Sequence, residues 1–247
     1  MGLRPLPSRL RPSCTSWPPV GIVVVQPDPD DVRSPGTGPP EGAKGLNTPS
    51  AMTDTRVSHD DLPRRIDSDR LMLRPWRSED LTSLHEALTE SVDHLRPWIP
   101  WATPHAPSVE QAHTRLSAWM EEFQSDTNFI YAAFDRSGTH LVGGLGLYGR
   151  VGPGALEIGY WIRRRSAGAG LATEGAQALT GIGFRLPGIL RIEIHLDPTN
   201  TASRRVPEKL GYTLVPHGSL EEGQDGASRP LTVFALTRSD FMAARRP

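Results

Sequence analysis

The residues best suited to chemistry form a short turn, Arg165-Ser-Ala-Gly168-Ala-Gly170, between a predicted strand and a predicted helix. Glycines let the backbone approach a ligand closely, and a helix start offers unpaired N–H groups and the positive end of the helix dipole. Arginines at 163, 164 and 165 add positive charge at the same end. The turn therefore predicts a phosphate-binding site. The simpler alternative is a tight connection in which glycine only relieves steric crowding.

Several other kinds of site are disfavoured by the residue types present. The turn lacks the Gly-Lys-Ser/Thr ending of a P-loop, and it lacks the third glycine and acidic ribose ligand of a dinucleotide-binding fold. An NTP-using transferase is therefore a weak alternative. Cys14 is the only cysteine, and no spacing typical of metal ligands appears, so we predict no metal.

A second segment with chemical potential is Asp197-Pro-Thr-Asn200-Thr-Ala-Ser203, which follows a strand and continues into a helix. The carboxamide of Asn200 can both donate and accept hydrogen bonds, so it could contact a ligand. It could equally cap the helix, because Asn is a favoured N-cap residue. Ser203 has the same ambiguity, since a serine near a helix start often bonds the backbone.

Hydrophobic periodicity and chain breakers predict the order β-α-α-β-β-β-α-β-α-β-β from residue 66 onward. The predicted strands are 70–74, 129–134, 141–148, 155–162, 189–196, 213–216 and 231–236, and the predicted helices are 78–88, 108–124, 168–184, 201–210 and 239–246. One strand–helix–strand unit, 155–196, stands out. The pattern predicts a mixed α/β (α+β) sheet in one domain.

Glycine and proline are unevenly distributed along the 247 residues. The first 50 residues contain 11 of the 24 prolines and 6 of the 24 glycines, with no periodicity. We therefore predict a disordered head, 1–51, followed by a globular domain, 52–247. Met52 or a nearby codon could be the true start, and the alternative is a disordered tail that has a partner.

Charge and hydropathy argue against several classes of partner. The net charge is −1, so no overall positive field would recruit nucleic acid. The longest apolar run near the N-terminus, Val20 to Val25, is far too short to span a bilayer. We therefore expect a soluble cytoplasmic protein with neither a nucleic-acid nor a membrane partner.

Three motifs in a fixed order carry a family resemblance: Gly159-Tyr-Trp-Ile162, Arg-x-x-Gly-x-Gly, and Asn200-x-x-Ser203 followed by Glu208-Lys-Leu-Gly-Tyr212. Together with an opening Arg-Leu-x-Leu-Arg-Pro-Trp strand and a His-Leu-Arg-Pro-Trp-Ile-Pro-Trp loop, they resemble the GNAT acetyltransferase family. The RimJ/RimL branch of ribosomal-protein N-acetyltransferases is the most similar. The likeness covers about 66–241.

The resemblance implies a fold and a cosubstrate. It implies a single domain built on a central splayed, mostly antiparallel sheet of about seven strands, flanked by helices. Acetyl-CoA would lie in the cleft between the strands predicted at 155–162 and 189–196. The backbone amides that would hold its pyrophosphate are those of Arg165, Gly168, Ala169, Gly170 and Leu171.

The resemblance also implies roles in the reaction. An amide near Ile162 would polarise the thioester carbonyl, Asn200 would bond the pantetheine, and Ser203 could protonate the departing thiolate. Many members carry a tyrosine seven residues after the asparagine as general acid. Here that position is Pro207, which leaves Ser203 as the best candidate for the acid. Proline also removes the amide that would bond the Ser203 carbonyl, which predicts a local opening of the helix.

Direct transfer needs a neutral amine, and Glu157 is the predicted base, directly or through a water. It could instead be a structural carboxylate paired with an arginine, and Glu193 and His195 are weaker candidates for the base. Without a strong base, an α-amine, with a pKa of about 8, is favoured over a lysine amine, near 10.4.

The predicted function is therefore an acetyl-CoA-dependent amine N-acetyltransferase that works through a ternary complex. The acceptor could be a protein N-terminus or a small amine. The alternative is a CoA-binding sensor with weak or lost catalysis. Trp98 and Trp101 could wall the acceptor pocket or simply pack on the sheet. Both a monomer and a homodimer remain open.

Overall fold

The computed structural model describes residues 57–99, 105–216, 219–222 and 228–245. The head predicted at 1–51 and the side chain of Trp101 lie outside these residues. The strands are β1 (Ile66–Asp67), β2 (Leu71–Pro75), β3 (Asn128–Asp135), β4 (Leu141–Tyr148), β5 (Ala155–Ile162), β6 (Arg191–Leu196), β7 (Thr213–Leu214), β8 (Ser219–Glu222) and β9 (Ser228–Thr237). The helices are α1 (Leu81–Leu95), α2 (Val109–Gln124), α3 (Leu171–Gly183), α4 (Thr201–Lys209) and α5 (Arg238–Ala243).

One mixed sheet organises the described part of the chain. Its strand order is β1-β2-β3-β4-β5-β6-β9-β7, and β8 pairs with β9. Every pairing is antiparallel except that of β5 with β6. The predicted splayed, mostly antiparallel sheet flanked by helices is confirmed. The additional strands β1 and β8 have two and four residues. Strands this short carry too little alternation for a sequence pattern to reveal them.

The sheet is covered on both faces. Apolar side chains of α3 and α4, such as Leu179 and Val206, pack on one face, here called the α3 face. Side chains of α1 and α2, such as Leu84 and Trp119, pack on the opposite α1 face. Strand side chains alternate between the two faces. Within the described residues, no helix is long and apolar enough to cross a membrane.

The parallel pair β5–β6 separates soon after it begins. Only residues 155–157 of β5 pair with residues 191–193 of β6. Along its whole length β6 pairs with β9 on its other edge, and β5 pairs with β4 from Glu157 to Ile162. Both strands are therefore held from the outside while their inner edges diverge, which opens the cleft predicted between them.

Helix α1 is anchored to the segment that follows β5 by one carboxylate. Glu90 Oε2 accepts hydrogen bonds from Arg163 Nε at 2.8 Å and from Arg165 Nη2 at 2.5 Å. Its Oε1 also accepts from the Arg165 backbone N–H at 3.1 Å, and Ser91 Oγ accepts from the Arg164 backbone N–H at 3.0 Å. The hydrogen bond from Arg165 is the largest influence on the pKa of Glu90. Burial acts to raise this pKa, whereas the hydrogen bond from Arg163 lowers it further, and the pKa is lowered to about 2.

We expect Glu90→Gln to lower the free energy of unfolding at pH 7 by about 1–3 kcal/mol, because charge-assisted hydrogen bonds are lost. The pKa in the folded state lies below its ordinary value of 4.5. The carboxylate therefore stabilises the protein above pH 4.5, and this contribution disappears as the pH falls toward 2. Urea unfolding of both proteins between pH 7 and pH 3 measures the difference.

Glu79→Gln is the matched control, because Glu79 is 67% exposed and, among the described residues, pairs with the exposed Arg77 alone. It should change the free energy of unfolding by less than about 0.5 kcal/mol. The assignment fails if Glu90→Gln is as stable as the parent protein at pH 7, or if the difference persists unchanged at pH 3.

Candidate active site

The turn after β5 has the geometry of an anion-binding helix start. Gly168 and Gly170 have φ values of +78° and +76°, which glycine adopts without strain. Because neither conformation is helical, α3 begins at Leu171 and not at Gly168 as predicted. The first intrahelical bond at this end runs from Glu174 N–H to Gly170 O at 3.1 Å. The N–H groups of residues 171–173 therefore have no intrahelical acceptor.

The turn is held rigidly in this conformation. Arg70 donates from Nη1 to the carbonyl of Ala169 at 2.8 Å and from Nε to Glu174 Oε2 at 2.6 Å. The predicted phosphate contacts of Gly168, Ala169, Gly170 and Leu171 thus lie on one fixed segment. Arg165 differs, because Glu90 engages both its guanidinium and its backbone N–H. Because Glu90 already accepts from these groups, the phosphate contact predicted for Arg165 stays a prediction, and the N–H groups at the helix start are the better-placed donors.

A groove on the α3 face joins this turn to α4. It is lined by Ile162, Ser166, Ala167, Gly168, Gly170, Leu171, Ala172, Thr173, Ala202, Arg205, Val206 and Lys209. Sequence reasoning missed the two cations, Arg205 and Lys209. Their spacing of four places them on one helix face, which is the signal that could have found them. The groove therefore combines helix-start amides with positive side chains, as a polyphosphate requires.

The start of α4 meets β5 across this groove. Asn200 is buried, and its Oδ1 accepts from the Ser203 backbone N–H at 3.0 Å, which confirms the N-cap alternative. Its contact with pantetheine stays a prediction. Pro207 lies inside α4 and leaves the Ser203 carbonyl without its usual helical donor. Tyr160 of β5 supplies that donor through its hydroxyl at 3.3 Å, so the helix continues to Lys209.

Glu157, the predicted base, is fully buried on the α1 face of the sheet. Both its oxygens accept from Arg150, at 2.6 Å from Nε and 2.5 Å from Nη2. This is the structural ion pair that the sequence left open as the alternative. A carboxylate held in this way has its lone pairs engaged, which makes it poorly suited to collect a proton.

Glu193 and His195 follow on the same face of β6. Glu193 lies beside Glu157 in the register, and its Oε2 is 2.6 Å from His195 Nε2. Arg191 Nε lies 2.6 Å from Glu193 Oε1. Burial acts to raise the pKa of Glu193, but the hydrogen bond with His195 and the charge of Arg191 outweigh it, so the pKa is lowered. In the part of the chain described, no three His, Cys, Asp or Glu residues form a group that could hold a metal.

Aromatic rings and glycines line the α1 face beside these groups. A Cβ at Gly146 or Gly159 would lie within about 3 Å of the Tyr148 ring, and a Cβ at Gly144 would lie 2.6 Å from Trp161 Nε1. The two rings therefore lie directly over the glycine backbone. Trp98 is half-buried and packs on the same apolar cluster, which fits its packing alternative. Its role as a pocket wall remains a prediction.

Comparison with known proteins agrees with this geometry. Residues 70–213, more than half of the chain, match the family described as acetyltransferase (GNAT) domain. A Bacillus subtilis protein named Probable N-acetyltransferase YjcK is 30% identical over 108 residues, which span 42% of this chain and 59% of that protein. The ribosomal protein uS5-alanine N-acetyltransferase of Escherichia coli is 25% identical over 191 residues, 73% of this chain and 94% of that protein.

A solved structure with a similar fold contains a CoA ligand. RimJ of Mycobacterium smegmatis in complex with CoA-disulfide is 25% identical, with a TM-score of 0.58 over 71% of this chain and 90% of that chain. The motif order, the parted strands, the helix-start groove and the family match all agree. The chain therefore belongs to the GNAT acetyltransferase family and is an acetyl-CoA-dependent N-acetyltransferase.

Proposed function

We propose that the protein transfers the acetyl group of acetyl-CoA directly to the α-amine at a protein N-terminus. The observation that carries this proposal is the ion pair between Glu157 and Arg150, which engages the carboxylate best placed to act as a base among the described residues of the cleft. An α-amine has a pKa of about 8, so roughly a tenth of it is neutral at pH 7, against less than about 0.1% of a lysine amine. A weakly assisted site therefore suits the α-amine.

The relatives support a protein acceptor. The Escherichia coli relative is named for the alanine of ribosomal protein uS5. We extend this to the present chain as a proposal that its acceptor is the N-terminus of a ribosomal or similar protein with a small first residue. Small amines are the alternative acceptors.

For the cosubstrate, we propose that the phosphates lie at the start of α3 and the pantetheine lies along β5. The unpaired amides of residues 171–173 and the cations Arg205 and Lys209 support the first placement. The diverging inner edge of β5 beyond Glu157 supports the second, because it leaves backbone groups that an extended ligand can pair with as an added strand.

For the reaction, we propose that the amide at Ile162 polarises the thioester carbonyl and that Ser203 protonates the departing thiolate. Ile162 ends β5 and lines the groove, and Ser203 is buried at the start of α4. Asn200 would act by holding this helix start in place through its cap. The CoA-sensor alternative keeps the groove but lacks turnover, because Pro207 replaces the tyrosine acid common in the family.

The Gly168→Asp variant tests where the phosphates bind. Its carboxylate would enter open space beside the helix start and repel phosphate, so we expect the dissociation constant for acetyl-CoA to rise at least about 10-fold. Thermal unfolding with and without acetyl-CoA measures this effect, since a ligand at 100 times its dissociation constant stabilises the folded state by about 2.7 kcal/mol.

Gly152→Asp is the matched control, because Gly152 also has a positive φ and open surroundings but lies in the β4–β5 turn. It should keep the acetyl-CoA-induced shift, and Gly168→Ala separates backbone strain from charge. An undiminished shift in Gly168→Asp would contradict the placement. No shift in the parent protein at high acetyl-CoA concentration would contradict cosubstrate binding itself.

The choice of acceptor can be measured with two matched peptides. One begins with a free alanine amine and contains no lysine, and the other has the same sequence with an acetylated N-terminus and one lysine. We expect CoA release with the first peptide to be at least about 100-fold faster at pH 7, following the neutral fractions of the two amines. Faster reaction of the lysine peptide would contradict the proposal. CoA binding without release from any amine would favour the sensor.

A further inference from the structure

We propose that His195, oriented by Glu193, takes the proton from the attacking amine. This inference rests on the proposed direct transfer to an α-amine. It concerns two residues at the point where β5 and β6 part, which are not engaged by the ion pair of Glu157 with Arg150. The motifs that carry the family resemblance do not include them.

The position of His195 follows from the sheet register. The last paired residues of the parting strands are Glu157 and Glu193, and His195 comes two residues later on the same face. It therefore belongs to the diverged part of β6, where the ligand is proposed to lie. The corresponding position on β5 is Gly159, over whose backbone the Tyr148 ring lies. His195 is only 12% exposed, so the proton would be transferred in a site largely shielded from water.

The hydrogen bond to Glu193 determines which ring nitrogen can accept a proton. Nε2 lies 2.6 Å from Glu193 Oε2 and must donate its hydrogen, since a carboxylate only accepts. The neutral ring then carries its lone pair on Nδ1. Among the described residues none hydrogen-bonds Nδ1, and Glu157 Oε2 lies 3.8 Å away. Nδ1 is therefore the atom that would receive the amine proton.

Charged groups surround the His195 ring in two pairs. Glu193 and Glu157 are the two carboxylates beside the ring, and Arg191 and Arg150 pair with them. On the β9 side, the residue paired with His195 is the apolar Val233. With a neutral ring these four charges cancel. The ring therefore lies beside two carboxylates, each of which is also held by an arginine.

The other buried histidine near the cleft, His94, is less suited to this role. It faces the backbone of Ile162, and burial lowers its pKa, which the nearby Arg164 lowers further. Within the described chain no hydrogen bond connects its ring to a carboxylate. Its protonated form would therefore lack the compensation that His195 has.

The step conserves atoms and charge. The amine nitrogen forms a bond to the thioester carbon, the carbonyl electron pair moves to oxygen beside the Ile162 amide, and the proton from nitrogen passes to His195 Nδ1. The electron pair then re-forms the carbonyl as the carbon–sulfur bond breaks. The thiolate takes a proton from Ser203, and Ser203 and the imidazolium return to their resting states by exchanging protons with solvent.

The test compares His195→Asn with the parent protein, using the alanine peptide and acetyl-CoA. We expect kcat/KM to fall at least about 100-fold at pH 7, the lower range for loss of a general base. Added imidazole should restore part of the rate in His195→Ala. The acetyl-CoA-induced thermal shift should be retained, which shows that the fold and the groove are intact.

Glu193→Gln and His140→Asn complete the experiment. Glu193 is a positioning residue, so its neutralisation should move the acid limb of the pH profile to lower pH, which a purely structural role would not do. His140→Asn is the control, because His140 is exposed on the β3–β4 turn. If His195→Asn does not fold, the Glu193→Gln profile still decides. An active parent protein with unchanged His195→Asn kinetics or an unmoved Glu193→Gln acid limb overturns this inference alone. A parent protein that binds acetyl-CoA but acetylates no amine overturns the proposed function and this inference together.

Discussion

The backbones of β5 and β6 pair for only three residues, and their unpaired inner edges beyond Glu157 and Glu193 are the constraint on which the site depends. Buried N–H and C=O groups need partners, and an extended ligand can supply them. The sheet tolerates the gap because β4 and β9 hold the two strands from the outside. The connection from β5 then starts α3 beside the opening, so the first N–H groups of that helix lie at the same groove.

The same parting brings acidic groups together on the α1 face. Glu157 and Glu193 are neighbours in the register, and two buried carboxylates would repel each other without compensation. Arg150 neutralises the first, and Arg191 neutralises the second, which also accepts a hydrogen bond from His195. Because a bidentate arginine occupies the carboxylate oxygens of Glu157, the more accessible imidazole is left as the titratable group beside the cleft.

How much of this was predictable depends on the range of the interactions. The glycine turn before α3, the sheet class and the cap at Asn200 rest on local patterns, and periodicity, chain breakers and capping preferences predict them. The start of α3 was placed three residues early, because only backbone geometry shows that Gly168 and Gly170 are left-handed. Contacts between distant segments were invisible to sequence patterns. Glu90 hydrogen-bonds Arg163 and Arg165, which lie 73 and 75 positions further along the chain. Tyr160 donates to the Ser203 carbonyl, 43 positions away, in place of the donor that Pro207 lacks.

The most direct test of the parted-strand account is amide hydrogen–deuterium exchange with and without saturating acetyl-CoA. The account predicts slower exchange in the part of β5 that does not pair with β6, residues 158–162, and at the start of α3, residues 168–173. The turn at 149–154 should be unaffected. Protection confined to other segments, or no protection at a concentration that saturates the protein, would contradict the claim that the diverging strands and the helix start form the cosubstrate site.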